Sequence, residues 1–260
     1  MHTLERMRTE NEAVTERTRL KMREKKIALK DICKSFGEKD VLNKISLDVC
    51  AGEHVTVLGP SGCGKSTMMN ILTGIMPADS GTVDVQGKVG YMQQKDLLLP
   101  WKTCLENVIL PDLLAGVSKE EAAKRAIPFF KEFQLDGFEQ NYPREMSGGM
   151  RQRASFLRTF LSCGDILLLD EPFGAVDSIT RGNLQQWLID VTARLGLTIL
   201  MITHDIDEAI LLSDRIYVLS DKPAAIRDEI IVEFSADEKK DRLFDPAFLE
   251  IKKRILEDLM

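Results

Sequence analysis

Val55-Thr56-Val57-Leu58-Gly59-Pro60-Ser61-Gly62-Cys63-Gly64-Lys65-Ser66-Thr67 decides how this chain is read. The first four residues are apolar or β-branched and read as a buried strand. Residues 59–67 match the phosphate-loop pattern GxxxxGK[ST], and a helix is expected from about Lys65. Strand, glycine-rich loop and helix in that order are the context the pattern requires. The oxygens of a triphosphate need many donors at short range, so backbone N–H groups must turn inward without side chains in the way. Gly62 and Gly64 permit that approach. The start of the helix adds about half a unit of positive charge. Lys65 is expected to bridge the β and γ phosphates of ATP, and the Ser66 hydroxyl to ligate Mg²⁺. Gly59, Pro60, Ser61 and Thr67 complete the cradle. Cys63 lies inside it, so a bulky thiol reagent there is expected to block nucleotide binding.

A phosphate loop needs a second acidic group for the metal and another to activate water. Ile166-Leu167-Leu168-Leu169-Asp170-Glu171-Pro172 offers both, with Asp170 placed 105 residues after Lys65. Four aliphatic residues make a central strand, and Asp170 emerges at its carboxyl end, where such sheets bind ligands. Asp170 is the expected metal carboxylate. Glu171, one residue on, points elsewhere and suits a general base.

Further strands are expected at 82–85, Thr198–Thr203 and Arg215–Leu219, with a helix over 182–195. Ile45, Leu47 and Val49 alternate with Ser46 and Asp48, as in a half-exposed strand. Strands alternating with helices imply a largely parallel sheet covered on both faces. Residues 96–157 read as helical instead, notably 119–133 and the run after Ser147. The expected fold class is α/β: a P-loop NTPase (RecA-like) core with a mixed, largely parallel sheet, an antiparallel β edge and a helical subdomain inserted at about 96–157. Residues 1–26 form a polar extension and 27–235 the ATPase domain. In the segment 236–260, Asp245-Pro246 starts a helix. Phe244, Phe248, Ile251, Ile255 and Leu259 make its apolar stripe.

The chain has 260 residues, 44% of them hydrophobic, and a net charge of −6 that argues against a non-specific nucleic-acid binder. Its apolar runs are too short to span a bilayer, which takes about 20 residues. The five cysteines (Cys33, Cys50, Cys63, Cys104, Cys163) form no CxxC pair and point to a reducing compartment rather than a zinc cage or disulfide framework.

Met146-Ser147-Gly148-Gly149-Met150-Arg151-Gln152-Arg153 resembles the LSGGQ signature of ATP-binding cassette (ABC) ATPases, with Met146 where leucine is usual. Ser147 stands 23 residues before Asp170, as in that family, and the resemblance runs from about 27 to 234. Phe36, in Ser35-Phe36-Gly37-Glu38, resembles the aromatic that stacks on adenine. Gln94 resembles the Q-loop glutamine and keeps the usual spacing to Leu98-Leu99-Pro100-Trp101; Gln93 offers a second register. Asp177, in Gly174-Ala175-Val176-Asp177, resembles the D-loop aspartate, and His204, in Thr203-His204-Asp205, the switch histidine.

The resemblance implies a division of labour. Ser147, Gly148 and Gly149, at a helix start, make a second anion site that closes over ATP held by another copy of the chain or a similar ATPase subunit. Asp177 communicates across that dimer. His204 holds Glu171 and the attacking water in line, and Gln94 serves both the metal and the water. The likeness is greatest to bacterial importers of the nitrate, sulfonate and taurine group, which also take up vitamin precursors. It implies a peripheral ATPase on the cytoplasmic face of the cell membrane, bound to integral membrane permease subunits and served indirectly by an extracytoplasmic solute-binding protein, with no nucleic-acid partner. An exporter motor and a soluble, non-transport ABC ATPase remain the other readings at this level.

Overall fold

The computed structural model describes residues 24–174, 176–234, 242–243 and 245–259. Most of the expected polar extension, and Phe244 of the terminal stripe, lie outside the described residues.

β1 (Lys25–Phe36) and β2 (Lys39–Cys50) form an antiparallel hairpin. Gly37 supplies the positive φ, 62°, at its two-residue turn. On β2, Ile45, Leu47 and Val49 are buried while Ser46 is exposed, the alternation of a sheet with one wet face. β3 (His54–Leu58) is buried throughout and runs into the 59–64 loop and α1 (Lys65–Leu72). β4 (Ser80–Val85) returns antiparallel to β1, which completes a three-stranded sheet ordered β2-β1-β4.

β5 (Val89–Met92) is followed by four helices: α2 (Cys104–Val108), α3 (Leu110–Leu114), α4 (Lys119–Glu132) and α5 (Gly148–Ser162). Then come β6 (Ile166–Asp170), α6 (Ser178–Leu195), β7 (Thr198–Thr203), α7 (Ile206–Leu212), β8 (Arg215–Leu219), β9 (Ile226–Ile231) and α8 (Pro246–Leu259). The second sheet is ordered β5-β6-β7-β3-β8-β9, parallel except for β9, which pairs antiparallel with β8.

Successive side chains of a strand point to opposite faces, so β6 and β7 feed two cores. Leu167, Leu169, Ile199 and Met201 pack with the helices α2 to α6. Ile166, Leu168, Leu200 and Ile202 pack with Met68 and Met69 of α1 and with the antiparallel sheet. Phe248 and Ile255 of α8 close a third core over Ala209, Ile216 and Val218. The two sheets are tied by charge as well. The buried Arg215 places Nε 2.8 Å from Oε1 of the buried Glu53, and it donates through Nη2 to Asp48 O at 2.8 Å.

Phe133, fully buried after α4, holds the helices to the sheet. Its ring centroid lies 5.8 Å from Phe156, 5.7 Å from Phe160 and 5.3 Å from Trp187. Replacing it removes contacts to α5 and α6 at once. Phe133→Ala is expected to lower the unfolding free energy by about 3–5 kcal/mol. Denaturant unfolding followed by tryptophan fluorescence measures this, and a loss below about 1 kcal/mol would show that the cluster is not what joins these helices.

Candidate functional site

Because β6, β7 and β3 are parallel neighbours, their carboxyl ends lie on one edge of the sheet. The register aligns those ends closely. Leu58 of β3 pairs with Thr203 of β7, and Asp170 of β6 pairs with Ile202. The phosphate loop, Glu171 and His204 therefore leave the sheet side by side.

The loop needs its glycines for two separate reasons. Gly62 and Gly64 have φ of 79° and 130°, which L side chains rarely adopt. A methyl group at Gly64 would also lie 2.9 Å from Leu42 Cδ2 and Val41 Cγ1. The Lys65 ammonium is folded over the loop and donates to Gly59 O at 2.7 Å and Pro60 O at 2.9 Å. Cys63 departs from expectation. Its side chain is buried among the hydrophobic residues beneath the loop, and burial pushes its thiol pKa up. The backbone of Cys63 belongs to the cradle, but its sulfur is a packing atom shielded from reagents.

Asp170 is buried, and burial raises its carboxyl pKa; hydrogen bonds from Tyr91 and Ser66 act against that rise. Tyr91 Oη donates to Asp170 Oδ2 at 3.1 Å. The sequence reading missed Tyr91, which stands on β5 next to β6; only the pairing of those strands reveals it.

Glu171 takes φ of 45°, an uncommon conformation for a residue with a side chain. Its N–H donates to Ile202 O at 2.9 Å, which fixes the turn. Its carboxylate is held on both oxygens: Gln94 Nε2 donates to Oε2 at 2.9 Å, and His204 Nδ1 lies 3.0 Å from Oε1. Of the two glutamine registers, Gln94 is the one on Glu171. The Glu171 side chain is 16% exposed and that of His204 53%, so the carboxylate is sheltered while the imidazole faces outward.

The other expected residues stand on neighbouring elements. Ser147 caps α5 by accepting from Met150 N at 3.2 Å, and Met146 is buried as an apolar anchor beside it. Gln152 of α5 donates to Pro172 O, joining the signature helix to the turn after Glu171. Gly149 has no room for a side chain, since a methyl there would meet Thr180 Cγ2 at 2.8 Å. Asp177 caps α6, and hydrogen bonds from Thr180 hold its carboxyl pKa below the usual range. Phe36, 48% exposed, ends β1 with the Lys34 ammonium 5.7 Å from its ring centroid.

Comparison with known proteins gives the family of the chain. The family model described as ABC transporter matches residues 42–174. The formylaminopyrimidine import ATP-binding protein ThiZ of Halalkalibacterium halodurans is 47% identical over 185 residues, 70% of this chain and 74% of its own. The aliphatic sulfonates import ATP-binding protein SsuB of Bacillus cereus is 37% identical over 243 residues, 89% of this chain and 94% of its own. The taurine import ATP-binding protein TauB of Rhizobium johnstonii is 35% identical, covering 82% and 87%. Among solved structures, the dimeric bacterial ABC transporter cassette MJ0796 superposes with a TM-score of 0.69 at 32% identity, covering 80% of this chain and 99% of that one. The same cassette in a dimeric post-hydrolysis state with ADP and Pi gives a TM-score of 0.68 at 31% identity. A family model that spans half of the chain, and relatives 35–47% identical along most of its length, show that the chain belongs to the ABC transporter family as an ATP-binding cassette with ATPase activity.

Proposed function

We propose that the chain is the motor of a membrane importer, working as a head-to-tail dimer with two ATP molecules between its copies. The observation that carries this reading is the Glu171 carboxylate held between Gln94 and His204, beside the phosphate loop. Backbone N–H groups of residues 61–67, with Lys65, bind the triphosphate, and Phe36 stacks on the adenine. Glu171 takes a proton from the attacking water, and His204 keeps the carboxylate aimed at it. Asp170 and Ser66 are hard oxygen donors of the kind Mg²⁺ prefers and would hold it, and Gln94 would add its amide oxygen. Bound Mg²⁺ supplies neutralisation of the phosphate charge.

Ser147, Gly148 and Gly149 close over the γ-phosphate held by the second copy, and Asp177 reaches across the same interface. The dimeric form of the MJ0796 cassette supports this pairing. Among the described residues no helix is long and apolar enough to cross a membrane, so spanning falls to separate permease subunits. Trp101, 70% exposed, and Leu97, 49% exposed, stand just beyond Gln94 and offer them an apolar foothold. An extracytoplasmic solute-binding protein delivers cargo to the permease, and the cassette sits on the cytoplasmic face of the cell membrane. Relatives named for import of formylaminopyrimidine, aliphatic sulfonates and taurine support a nitrate-, sulfonate- or taurine-like anion or a vitamin precursor as cargo.

Glu171→Gln is expected to retain ATP binding, accumulate as a dimer on gel filtration, and lower turnover by about 10²–10⁴-fold. Parental turnover in that variant would remove Glu171 from the role of base. Lys65→Ala is expected to weaken ATP binding itself by at least about tenfold, since a charge-assisted contact to phosphate is lost. Titration with a fluorescent ATP analogue reads this, and unchanged affinity would contradict the assigned contact. In proteoliposomes containing the permease and binding protein, ATPase activity should rise with a sulfonate, taurine, nitrate or aminopyrimidine. No stimulation by any of them would overturn the cargo class.

A further inference from the structure

Glu208 is buried in the first turn of α7, and the catalytic scheme leaves it without a task. Its Oε2 accepts from Thr203 Oγ1 at 2.8 Å, and that same Oγ1 accepts from Asp205 N at 3.0 Å. Thr203 and Asp205 flank His204. One carboxylate, acting through one hydroxyl, thus holds the histidine's turn on both sides. Asp205 uses Oδ1 to cap α7, accepting from Asp207 N at 2.9 Å and Glu208 N at 3.1 Å. Its Oδ2 lies 3.4 Å from Arg181 Nη1, and Arg181 Nε lies 3.8 Å from Glu208 Oε1. Burial pushes the Glu208 carboxyl pKa up; the Thr203 hydrogen bond and Arg181 work against it.

Arg181 stands in the first turn of α6, next to Thr180. That threonine fills the space beside Gly149, where even a methyl group would meet it at 2.8 Å. Close-packed elements of this kind move together rather than slide past each other. The first turn of α5, the first turn of α6 and the His204 turn therefore form one contiguous run of contacts.

We infer that Arg181 is a positioning residue for hydrolysis, clamping the turn that carries His204 to the start of α6 and so linking Ser147–Gly149 to the Glu171–His204 pair of the same chain. The inference rests on the roles proposed above for Glu171 and His204. Its consequence is coupling between two ATP sites. The Ser147–Gly149 segment of one copy acts on nucleotide held by the second copy, while the clamp carries its position to the histidine of its own site.

The test uses the full chain assembled with its membrane subunits and measures kcat, KM, ATP cooperativity and Tm for each variant. Arg181→Met is expected to lower kcat by about 10²-fold, the cost of a misplaced catalytic group. KM should stay within about twofold, because ground-state binding is untouched, and ATP cooperativity should be lost. Arg181→Lys should recover part of kcat. Glu208→Gln should lower kcat with Tm kept, and the Arg181→Met/Glu208→Gln double variant should be no slower than the slower single variant, as for two members of one unit. Parental kcat in Arg181→Met, losses that simply track Tm, or additive losses in the double variant would overturn the inference. If Arg181→Met does not fold, Glu208→Gln decides: retained kcat overturns the clamp. Glu171→Gln, run in parallel, separates the two levels. If it is inactive while Arg181→Met is unaffected, only the clamp falls; if Glu171→Gln turns over normally, the site reading falls and takes the clamp with it.

Discussion

The pairing register of β3, β7 and β6 is the constraint on which the site depends. Leu58 lies opposite Thr203 and Asp170 opposite Ile202, so three loops leave the sheet at one level. A slip of one residue in β6 would move Leu167 and Leu169 into the other core and carry Asp170 and Glu171 to the wrong faces. What prevents the slip is burial on both sides. Every residue of β3, β6 and β7 is buried, so each register error would cost packing in two cores at once. The stability of the sheet and the geometry of the candidate site at its edge are thus consequences of the same packing.

On that frame the structure holds one unfavourable element in place. Glu171, with φ of 45°, occupies a backbone region that costs of order 1–3 kcal/mol for a residue with a side chain. The turn is kept by the Glu171 N–H on Ile202 O and by Gln152 on Pro172 O. The effect is directional. Asp170 completes its strand beside Tyr91 and Ser66, while Glu171 swings its carboxylate to Gln94 and His204. Two adjacent carboxylates in a regular strand would face opposite sides of the sheet; the positive φ lets both serve one edge.

The sequence made the main strands and their ends legible because β3, β6 and β7 are short aliphatic runs followed by residues whose chemistry is hard to place elsewhere. Gly62, Gly64, Lys65, Asp170 and Glu171 could each be read this way, whereas His204 was singled out only by the family resemblance. Three strands were not legible. In β1 the alternation breaks at Asp31, whose φ of 52° accompanies a register shift against β2. β5 is four residues long with Gly90 inside it, and β9 reads Ile226-Arg227-Asp228-Glu229, charged because it lies at the edge of the sheet. The side toward which a loop residue points was also hidden. Cys63 follows a glycine of positive φ, and nothing in the local pattern says that its sulfur turns down into the core. Tyr91 and Glu208 were hidden for a third reason. Their partners, Asp170 and Arg181, are distant in sequence and become neighbours only once the strand order is known.

These three kinds of hidden residue bear on how the site works. Residues that touch phosphate or water must present one chemistry at one place, and local sequence can specify that. Residues that hold them need only volume, a hydroxyl or a charge at the right distance, and many side chains supply these. Thr203 illustrates the difference: its hydroxyl both donates to Glu208 and accepts from Asp205 N, a task set wholly by its place at the end of β7. Gly149 is the opposite case, recognisable as part of a motif yet also required by Thr180 packing against it. A motif residue that is also a packing contact ties the start of α5 to the start of α6.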